Sequence, residues 1–170
     1  TITPADCYDI AGVVVEGLPV GPVTSYEFTT VTANHTIAAS FVVKTYTIAA
    51  SAGVGGTIDP TGDVVVNCST SKTFTITPGA CYDIADVLVN GSSVGAVASY
   101  EFTNVTADQT IAASFVVKIY TIAASAGAGG TIDPTGDVVV NCGTSKTFTI
   151  TPGACYDIAD VLVNGGSVGA

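Results

Sequence analysis

Residues 73–91 read TFTITPGACYDIADVLVNG, and this stretch carries most of the signals that decide the fold. In its first part Phe74 and Ile76 alternate with threonines, so the apolar side chains share one face and the threonines share the other. This alternation predicts a half-buried β-strand. Pro78 ends the strand, because proline cannot donate a hydrogen bond to a sheet.

The second part, YDIADVLVNG, predicts a bent strand followed by a tight turn. Tyr82 and Ile84 stand at even positions, whereas Val87 and Val89 stand at odd positions. A bulge or bend near residues 85–86 would return both pairs to the core. The asparagine-glycine pair at the end is a strong signal for a two-residue hairpin turn.

The hairpin signal at Asn90-Gly91 occurs again at Glu16-Gly17 and at Asn164-Gly165. No segment of the chain has convincing helical periodicity, and the short alanine-containing pieces are flanked by residues that favour strands. We therefore predict an all-β fold.

These signals return with a period of 74 residues. TITP begins at Thr1, Thr75 and Thr149, and 59 of 74 positions are identical between residues 1–74 and 75–148. Self-similarity of this kind is typical of repeat architectures, which multiply length, spacing or weak contacts. A catalytic site needs one asymmetric set of residues, so the repeat predicts a scaffold that is not an enzyme.

The phase of the repeat predicts the domain boundaries. Strand patterns and glycine clusters place a complete unit at residues 46–117. Residues 1–43 are then the C-terminal part of one unit, and residues 120–170 are the N-terminal two thirds of another. The two fragments could complete each other between chains by strand donation, but residues 149–170 repeat residues 1–22, and this duplication argues against it. We expect the chain to be a segment of a longer array.

Almost no linker separates the units, because only Lys118 and Ile119 stand between FVV and YTIAASA. A junction this short, without glycine, proline or a polar run, cannot act as a flexible tether. Consecutive units are therefore expected to hold a fixed orientation and form a stiff rod. A solenoid is the alternative, but its coils usually have about 20 to 45 residues, so a small β-sheet domain fits the period better.

The composition favours an extracellular protein of low chemical reactivity. Fourteen acidic residues against four lysines give a net charge of −10, which disfavours nucleic acids and anionic membrane surfaces as partners. No apolar run is long enough to span a membrane, and no signal peptide opens the chain. We expect no cofactor, and a secreted or cell-surface location.

The cysteines are the sharpest chemical signal. Cys68 and Cys81 fall 13 positions apart inside one unit, and Cys142 and Cys155 repeat that spacing. The first interpretation is a disulfide within each of these pairs, with the partner of Cys7 outside this sequence. Free thiols remain an alternative, as do bridges between units such as Cys81 with Cys142, because spacing does not show which Cα atoms approach. Zinc is disfavoured, since there is no CxxC and only one histidine.

The ordered segments YTIAASAGVGGTIDPTG, VVVN, TFTITPGACYDIADVLVNG and SYEFTNVTADQTIAASF resemble the divergent internalin B-repeat family of bacterial surface proteins. The resemblance covers essentially the whole sequence. It implies a compact β-rich module that serves as a stalk or adhesin spacer, without catalytic residues. The chain departs from the family pattern where Cys81 replaces the usual glycine before Tyr82, and where the family's tryptophan is absent.

The sequence thus predicts a disulfide-stapled stalk or filament of an extracellular bacterial surface protein, whose partners are further copies of the repeat in cis or head to tail. The alternative is an adhesin module that binds carbohydrate or calcium multivalently. The weak calcium candidates are Asp59, Asp63, Asp133 and Asp137 in the two copies of TIDPTGD, because calcium prefers several hard oxygen donors around a turn. The spacing matches no EF-hand, and the same segment is a good turn without any metal.

Overall fold

The computed structural model describes residues 1–170 and is all-β, with no helix, so the predicted fold class is confirmed. No helix long and apolar enough to cross a membrane is present. The strands are β1 Tyr8–Val15, β2 Leu18–Gly21, β3 Ile37–Val43, β4 Thr45–Ala52, β5 Gly56–Asp59, β6 Gly62–Asn67, β7 Lys72–Pro78, β8 Tyr82–Val89, β9 Ser92–Ser93, β10 Ser99–Phe102, β11 Gln109–Val117, β12 Ile119–Ala124, β13 Gly130–Asp133, β14 Gly136–Asn141, β15 Thr149–Pro152, β16 Leu162–Val163 and β17 Gly166–Ser167.

The chain forms two compact units. The first comprises residues 1–78 and 84–115, and the second comprises residues 79–83 and 116–170. The domain limits expected from the repeat phase remain a prediction, because these two units are defined by compactness and not by sequence similarity.

Three sheets build the first unit. One has five strands in the order β6-β4-β11-β8-β9, one has the order β10-β7-β5, and one has the order β2-β1-β3. Within the five-stranded sheet β4 and β6 are antiparallel, whereas β11 runs parallel to β4. A parallel neighbour requires a long connection, and here the chain between β4 and β11 provides β5 to β10.

The five-stranded sheet and the β10-β7-β5 sheet share one apolar core. The alternation predicted in residues 73–77 is confirmed, since Phe74 and Ile76 are buried and the intervening threonines are exposed. Phe74 packs edge-on against Phe102, with ring centroids 5.8 Å apart. The buried members of this core are Ile48, Ala50, Ile58, Val66, Phe74, Ile76, Val87, Val89, Phe102, Val105, Ile111 and Ala113.

The predicted bend is present. On β1, Ile10 and Gly12 pair with consecutive residues of β3, so Ala11 is the extra residue of a bulge. On β8, 74 positions later, the inward-facing positions change parity between Ile84 and Val87, and Val87 is fully buried. A bulge adds one unpaired residue and so shifts the side-chain alternation by one, which is what this sequence requires.

The predicted two-residue hairpins are also present. Asn90 and Gly91 both have positive φ, 50° and 77°, as a turn of the hairpin type demands. The turns at Glu16-Gly17 and Asn164-Gly165 have the same signs, and they connect β1 to β2 and β16 to β17.

The second unit contains three separate strand pairs, β12 with β14, β13 with β15, and β16 with β17, all antiparallel. None of its residues belongs to the buried core of the chain. Its strands therefore present much of their apolar face to solvent.

Candidate functional site: the disulfide-bonded junctions

The candidate site is the junction at Lys44, inside the first compact unit. β3 ends at Val43 and β4 begins at Thr45, so a single residue joins the two strands. The Lys44 backbone N–H donates to the carbonyl oxygen of Cys7 at 2.8 Å, and the N–H of Cys68 donates to the Lys44 carbonyl oxygen at 2.8 Å. The chain stays hydrogen-bonded as it passes from β3 to β4, and no loop separates the two strands.

Cys7 and Cys68 together fill one position of an antiparallel ladder. In a regular ladder a single residue supplies both the C=O and the N–H that face a hydrogen-bonded residue. Opposite Lys44, Cys7 supplies the C=O and Cys68 supplies the N–H. β1 pairs with β3 from the first residue of β1, and β6 pairs with β4 up to the last residue of β6. β6 and β1 therefore lie end to end along one side of the nearly continuous strand that β3, Lys44 and β4 form.

A disulfide joins these two strand ends. The Cα atoms of Cys7 and Cys68 are 5.4 Å apart, within the usual range for a disulfide, and the bond spans 61 positions of the chain. Closing a loop of that length restricts the unfolded chain and stabilises the fold by about 4 kcal/mol in the chain-entropy account. The disulfide thus links the beginning of β1 covalently to the end of β6 beside Lys44, and we call this link the splice.

The side chains around the splice are mostly solvent-exposed. The Lys44 ammonium lies 3.5 Å from Asp9 Oδ1, and both side chains are well exposed. Exposed ion pairs of this kind contribute about 1 kcal/mol at most. The Ser69 hydroxyl lies 3.1 Å from Cys7 Sγ, while Cys68 is buried. The stability of the junction therefore comes from the ladder and the disulfide rather than from charge.

The second compact unit contains an equivalent junction at Lys118. Its N–H donates to the Cys81 carbonyl oxygen at 2.9 Å, and the Cys142 N–H donates to the Lys118 carbonyl oxygen at 2.8 Å. Cys81 and Cys142 form a disulfide with Cα atoms 5.3 Å apart and the same separation of 61 positions. Lys118 also pairs with Asp83 at 3.5 Å. The same arrangement thus occurs twice, at positions 74 residues apart in the sequence.

The disulfide pairing corrects the first interpretation of the sequence. Cys68 bonds to Cys7 and not to Cys81, and Cys142 bonds to Cys81 and not to Cys155. The partner of Cys7 is therefore within the chain, and Cys155 is an exposed free thiol. The bridge of Cys81 with Cys142, which was one of the alternatives, is the one present.

The sheet topology explains why the pairs at 13 positions do not form. Cys68 follows the last residue of β6 and Cys81 precedes the first residue of β8. In the five-stranded sheet β4 and β11 lie between β6 and β8, so the two strands are not neighbours. Proximity in sequence was the wrong guide, because the residues between the cysteines, β7, belong to another sheet.

One signal in the sequence could have given the correct pairing. A junction without a linker keeps β3 and β4 in line, so the strands that pair with them must meet opposite Lys44. The residues that flank those strands are Cys7, immediately before β1, and Cys68, immediately after β6.

The weak calcium candidates lie outside any cluster of ligands. Asp59 and Asp133 end β5 and β13, Asp63 and Asp137 lie near the starts of β6 and β14, and all four are exposed. No group of three or more His, Cys, Asp or Glu side chains in the chain is placed to hold a metal ion.

The loop after the Asn90 hairpin satisfies its own polar groups. The Ser93 hydroxyl donates to Asp86 Oδ1 at 2.7 Å, and it accepts from the Gly95 N–H at 3.3 Å. The Val94 N–H donates to the Val87 carbonyl oxygen at 2.9 Å. These groups are therefore engaged in fixing the loop rather than directed outward.

Comparison of the chain with family models, with curated proteins and with solved structures gives no match.

Proposed function

We propose that this chain is a non-enzymatic structural repeat of an extracellular bacterial surface protein, which forms a disulfide-stapled stalk or filament. The observation that carries the proposal is the junction at Lys44, where one sequence repeat follows another with a single residue between their strands. Lys44 is hydrogen-bonded to both Cys7 and Cys68, and a disulfide joins these two cysteines. The resemblance to the internalin B-repeat family supports the same function, as does the near-exact repetition of the sequence.

The junction is suited to resist extension. A pull along β3 and β4 is carried by the backbone of Lys44, and the hydrogen bonds of the flanking ladder lie across that direction. If the ladder fails, the disulfide still connects Cys7 to Cys68, so the 61-position loop between them cannot be drawn out. The cysteines thus limit how far an overloaded array lengthens.

Of each 74-residue period, only the 13 positions from Cys68 to Cys81 lie outside a disulfide loop. At about 3.5 Å for each extended residue, an unfolded period is at most about 45 Å long with intact disulfides, against about 260 Å when reduced. This restriction is the mechanical role that we assign to the conserved position of the cysteines within each copy.

The disulfides also support the proposed location, because such bonds persist in oxidising compartments and are rare in the cytosol. The alternative function, a module that binds carbohydrate or calcium multivalently, has no observation in its favour among the loops and acidic residues described above.

Solution scattering and electron microscopy test the proposal. A globular chain of this length would have a radius of gyration of about 15 Å, and the proposed stiff array requires a distinctly larger value that does not change with salt. Images of the native material should show a thin, unbranched stalk or fibre. A compact particle in both measurements would contradict the proposal.

A further inference from the structure

The two disulfides divide the chain between Cys7 and Cys142 into segments that a bridge spans and one segment that no bridge spans. The disulfide of Cys7 with Cys68 closes a first loop, which spans 61 positions. The disulfide of Cys81 with Cys142 closes a second loop of the same length, and the two loops do not overlap. A peptide bond broken inside either loop leaves two pieces that a disulfide still joins. Only a break between Cys68 and Cys81 divides this part of the chain, and we call residues 69–80 the unspanned segment.

Accessible turns of the first compact unit lie inside the two loops. The turn between β4 and β5 carries Val54, which is 89% exposed, and it belongs to the first loop. The Asn90-Gly91 turn belongs to the second loop, as do residues 103–108, which connect β10 to β11 and are all exposed except Val105. Exposed turns and loop tips are where proteases preferentially cut folded chains. A cut at any of these turns therefore leaves the chain covalently continuous.

The unspanned segment, in contrast, is held inside a sheet. β7 makes up most of it, and β7 is the middle strand of the β10-β7-β5 sheet. It pairs with β10 from Lys72 to Thr75 and with β5 from Thr75 to Pro78, so every residue of the strand has a partner on at least one side. Phe74 and Ile76 are 0% and 2% exposed. Because a protease cuts such a strand only after it has opened, β7 is protected by the stability of the core.

The exposed turn that precedes β7 is also held by its backbone. The Ser69 N–H donates to the Val105 carbonyl oxygen at 2.8 Å, and the Val105 N–H donates to the Thr70 carbonyl oxygen at 3.0 Å. The Thr70 N–H and hydroxyl both donate to the Asn67 carbonyl oxygen, at 3.2 Å and 2.6 Å. The part of the chain that lacks a covalent bridge is therefore fixed by hydrogen bonds and burial.

We propose that the disulfides have a second function, which is to keep the chain covalently continuous after an endoprotease has cut one of its exposed turns. Hydrolysis adds one water across the broken peptide bond and leaves a new carboxylate and a new amine. Inside a loop the two products stay joined through the Sγ–Sγ bond. This function depends only on the pairing of the cysteines and the position of β7, so it holds whether or not the chain forms a stalk or a filament.

A single cut at such a turn also leaves the strand pairs in place. β4 lies between β6 and β11, and β5 pairs with β7, so a break at Val54 removes none of these ladders. The cut unit is therefore held by its sheets while it is folded. The disulfide of Cys7 with Cys68 becomes the remaining connection when the cut unit unfolds.

The test uses the absence of arginine from the chain, because each introduced arginine is then the single site for an arginine-specific endoprotease. Val54→Arg places the site in an exposed turn of the first loop, and Ala107→Arg places it in an exposed turn of the second. Ser71→Arg is the matched control, since it places the site in the exposed turn of the unspanned segment. All three variants carry Cys155→Ser, so that no free thiol can exchange with the disulfides.

Each variant is digested, with urea where needed, until the reduced sample is fully cut, and it is then denatured and its mass is measured without reductant. The cut Val54→Arg and Ala107→Arg chains should keep the mass of the uncut variant plus one water, and should separate into two fragments only on reduction. The cut Ser71→Arg chain should give two fragments with or without reductant. Pairing of Cys68 with Cys81 would reverse the results at residues 54 and 71, and this outcome would overturn the proposal.

Limited digestion of the parent chain with a protease of broad specificity tests whether the unspanned segment is protected. The first cuts between Cys7 and Cys142, mapped after reduction, should fall in the exposed turns of the two loops. Without reductant, Cys7 and Cys142 should remain in one covalent species. First cuts within residues 69–80, or early separation of the two cysteines without reductant, would overturn the proposal. Neither result bears on the elongated shape measured by scattering, so failure of this inference and failure of the proposed function are distinguishable.

Discussion

Seventeen identical residues, TITPGACYDIADVLVNG, occur at 75–91 and again at 149–165, and they adopt different structures. In the first copy they complete β7 and form the whole of β8. In the second copy only β15 and the two residues of β16 are strands, and residues 156–161 have none. The same local signals therefore give a full strand in one place and an irregular segment in the other.

The neighbours explain the difference. β8 lies beside β11 in the five-stranded sheet, and the first half of β7 pairs with β10. In the second unit residues 146–148, which repeat the beginning of β7, form no strand and β15 begins only at Thr149. Alternation and propensity make a segment able to form a strand, but a hydrogen-bonded partner and a covered apolar face are needed to hold it.

The largest expected effect is in hydrogen exchange. The amide of Val87, which bonds to Gly95, should be protected close to the global stability of the first unit, at least about 5 kcal/mol, whereas amides of residues 157–160 should exchange almost freely. NMR is the suitable method, because peptides from the two identical stretches have the same mass. Equal protection in both copies would break the comparison.

Loss of a junction disulfide should have the next largest effect. The double variant Cys7→Ser with Cys68→Ser is expected to lower the free energy of unfolding of the first unit by about 4 kcal/mol, because its 61-position loop is released. Cys155→Ser is the matched control and should leave stability within about 0.5 kcal/mol, since that thiol is exposed and free. Chemical denaturation measures both, and an equal effect of the two changes would refute the pairing.

Truncation of a phenylalanine side chain should destabilise the first unit more than the same change at the identical position destabilises the second unit. Phe74→Ala removes a fully buried ring that contacts Phe102, and we expect a loss of about 3 kcal/mol. Phe148→Ala changes the identical residue 74 positions later, which is only half-buried, so about 1 kcal/mol is expected. Thermal unfolding of the two variants makes the comparison, and similar losses would mean that the second unit has a core of its own.

The exposed ion pairs should matter least. Lys44→Ala removes the contact with Asp9 but keeps both backbone hydrogen bonds of the junction. We expect a change below about 0.5 kcal/mol, which decreases further with added salt. A larger, salt-sensitive loss would show that charge contributes substantially to the junction.

Much of the fold could be predicted from the sequence. The alternation of Phe74 and Ile76, the parity change after Ile84, and the Asn90-Gly91 turn each depend on a few neighbouring residues, and each is confirmed. The short junction at Lys118 was equally local, because it required only that one strand pattern follow another, and β12 begins two positions after β11 ends.

The disulfide pairing could not be derived from spacing. Cys7 and Cys68 are distant in sequence, and they meet only because β1 and β6 pair with the two halves of one nearly continuous strand. Strand order is a property of the whole sheet, whereas 13 positions between Cys68 and Cys81 describe only the chain between them. The same reason explains why identical residues at 75–91 and 149–165 could not be told apart before their partners were known.

The central claim is that the disulfides link strand ends at the junctions, the beginning of β1 to the end of β6 and the beginning of β8 to the end of β14. Pulling single chains from both ends, with and without reductant, tests it most directly. Two loops of 61 positions each are locked in the oxidised chain, so reduction should add about 430 Å to the fully unfolded length. Pairing of Cys68 with Cys81 and of Cys142 with Cys155 would add only about 90 Å, and this result, or no change at all, would contradict the account.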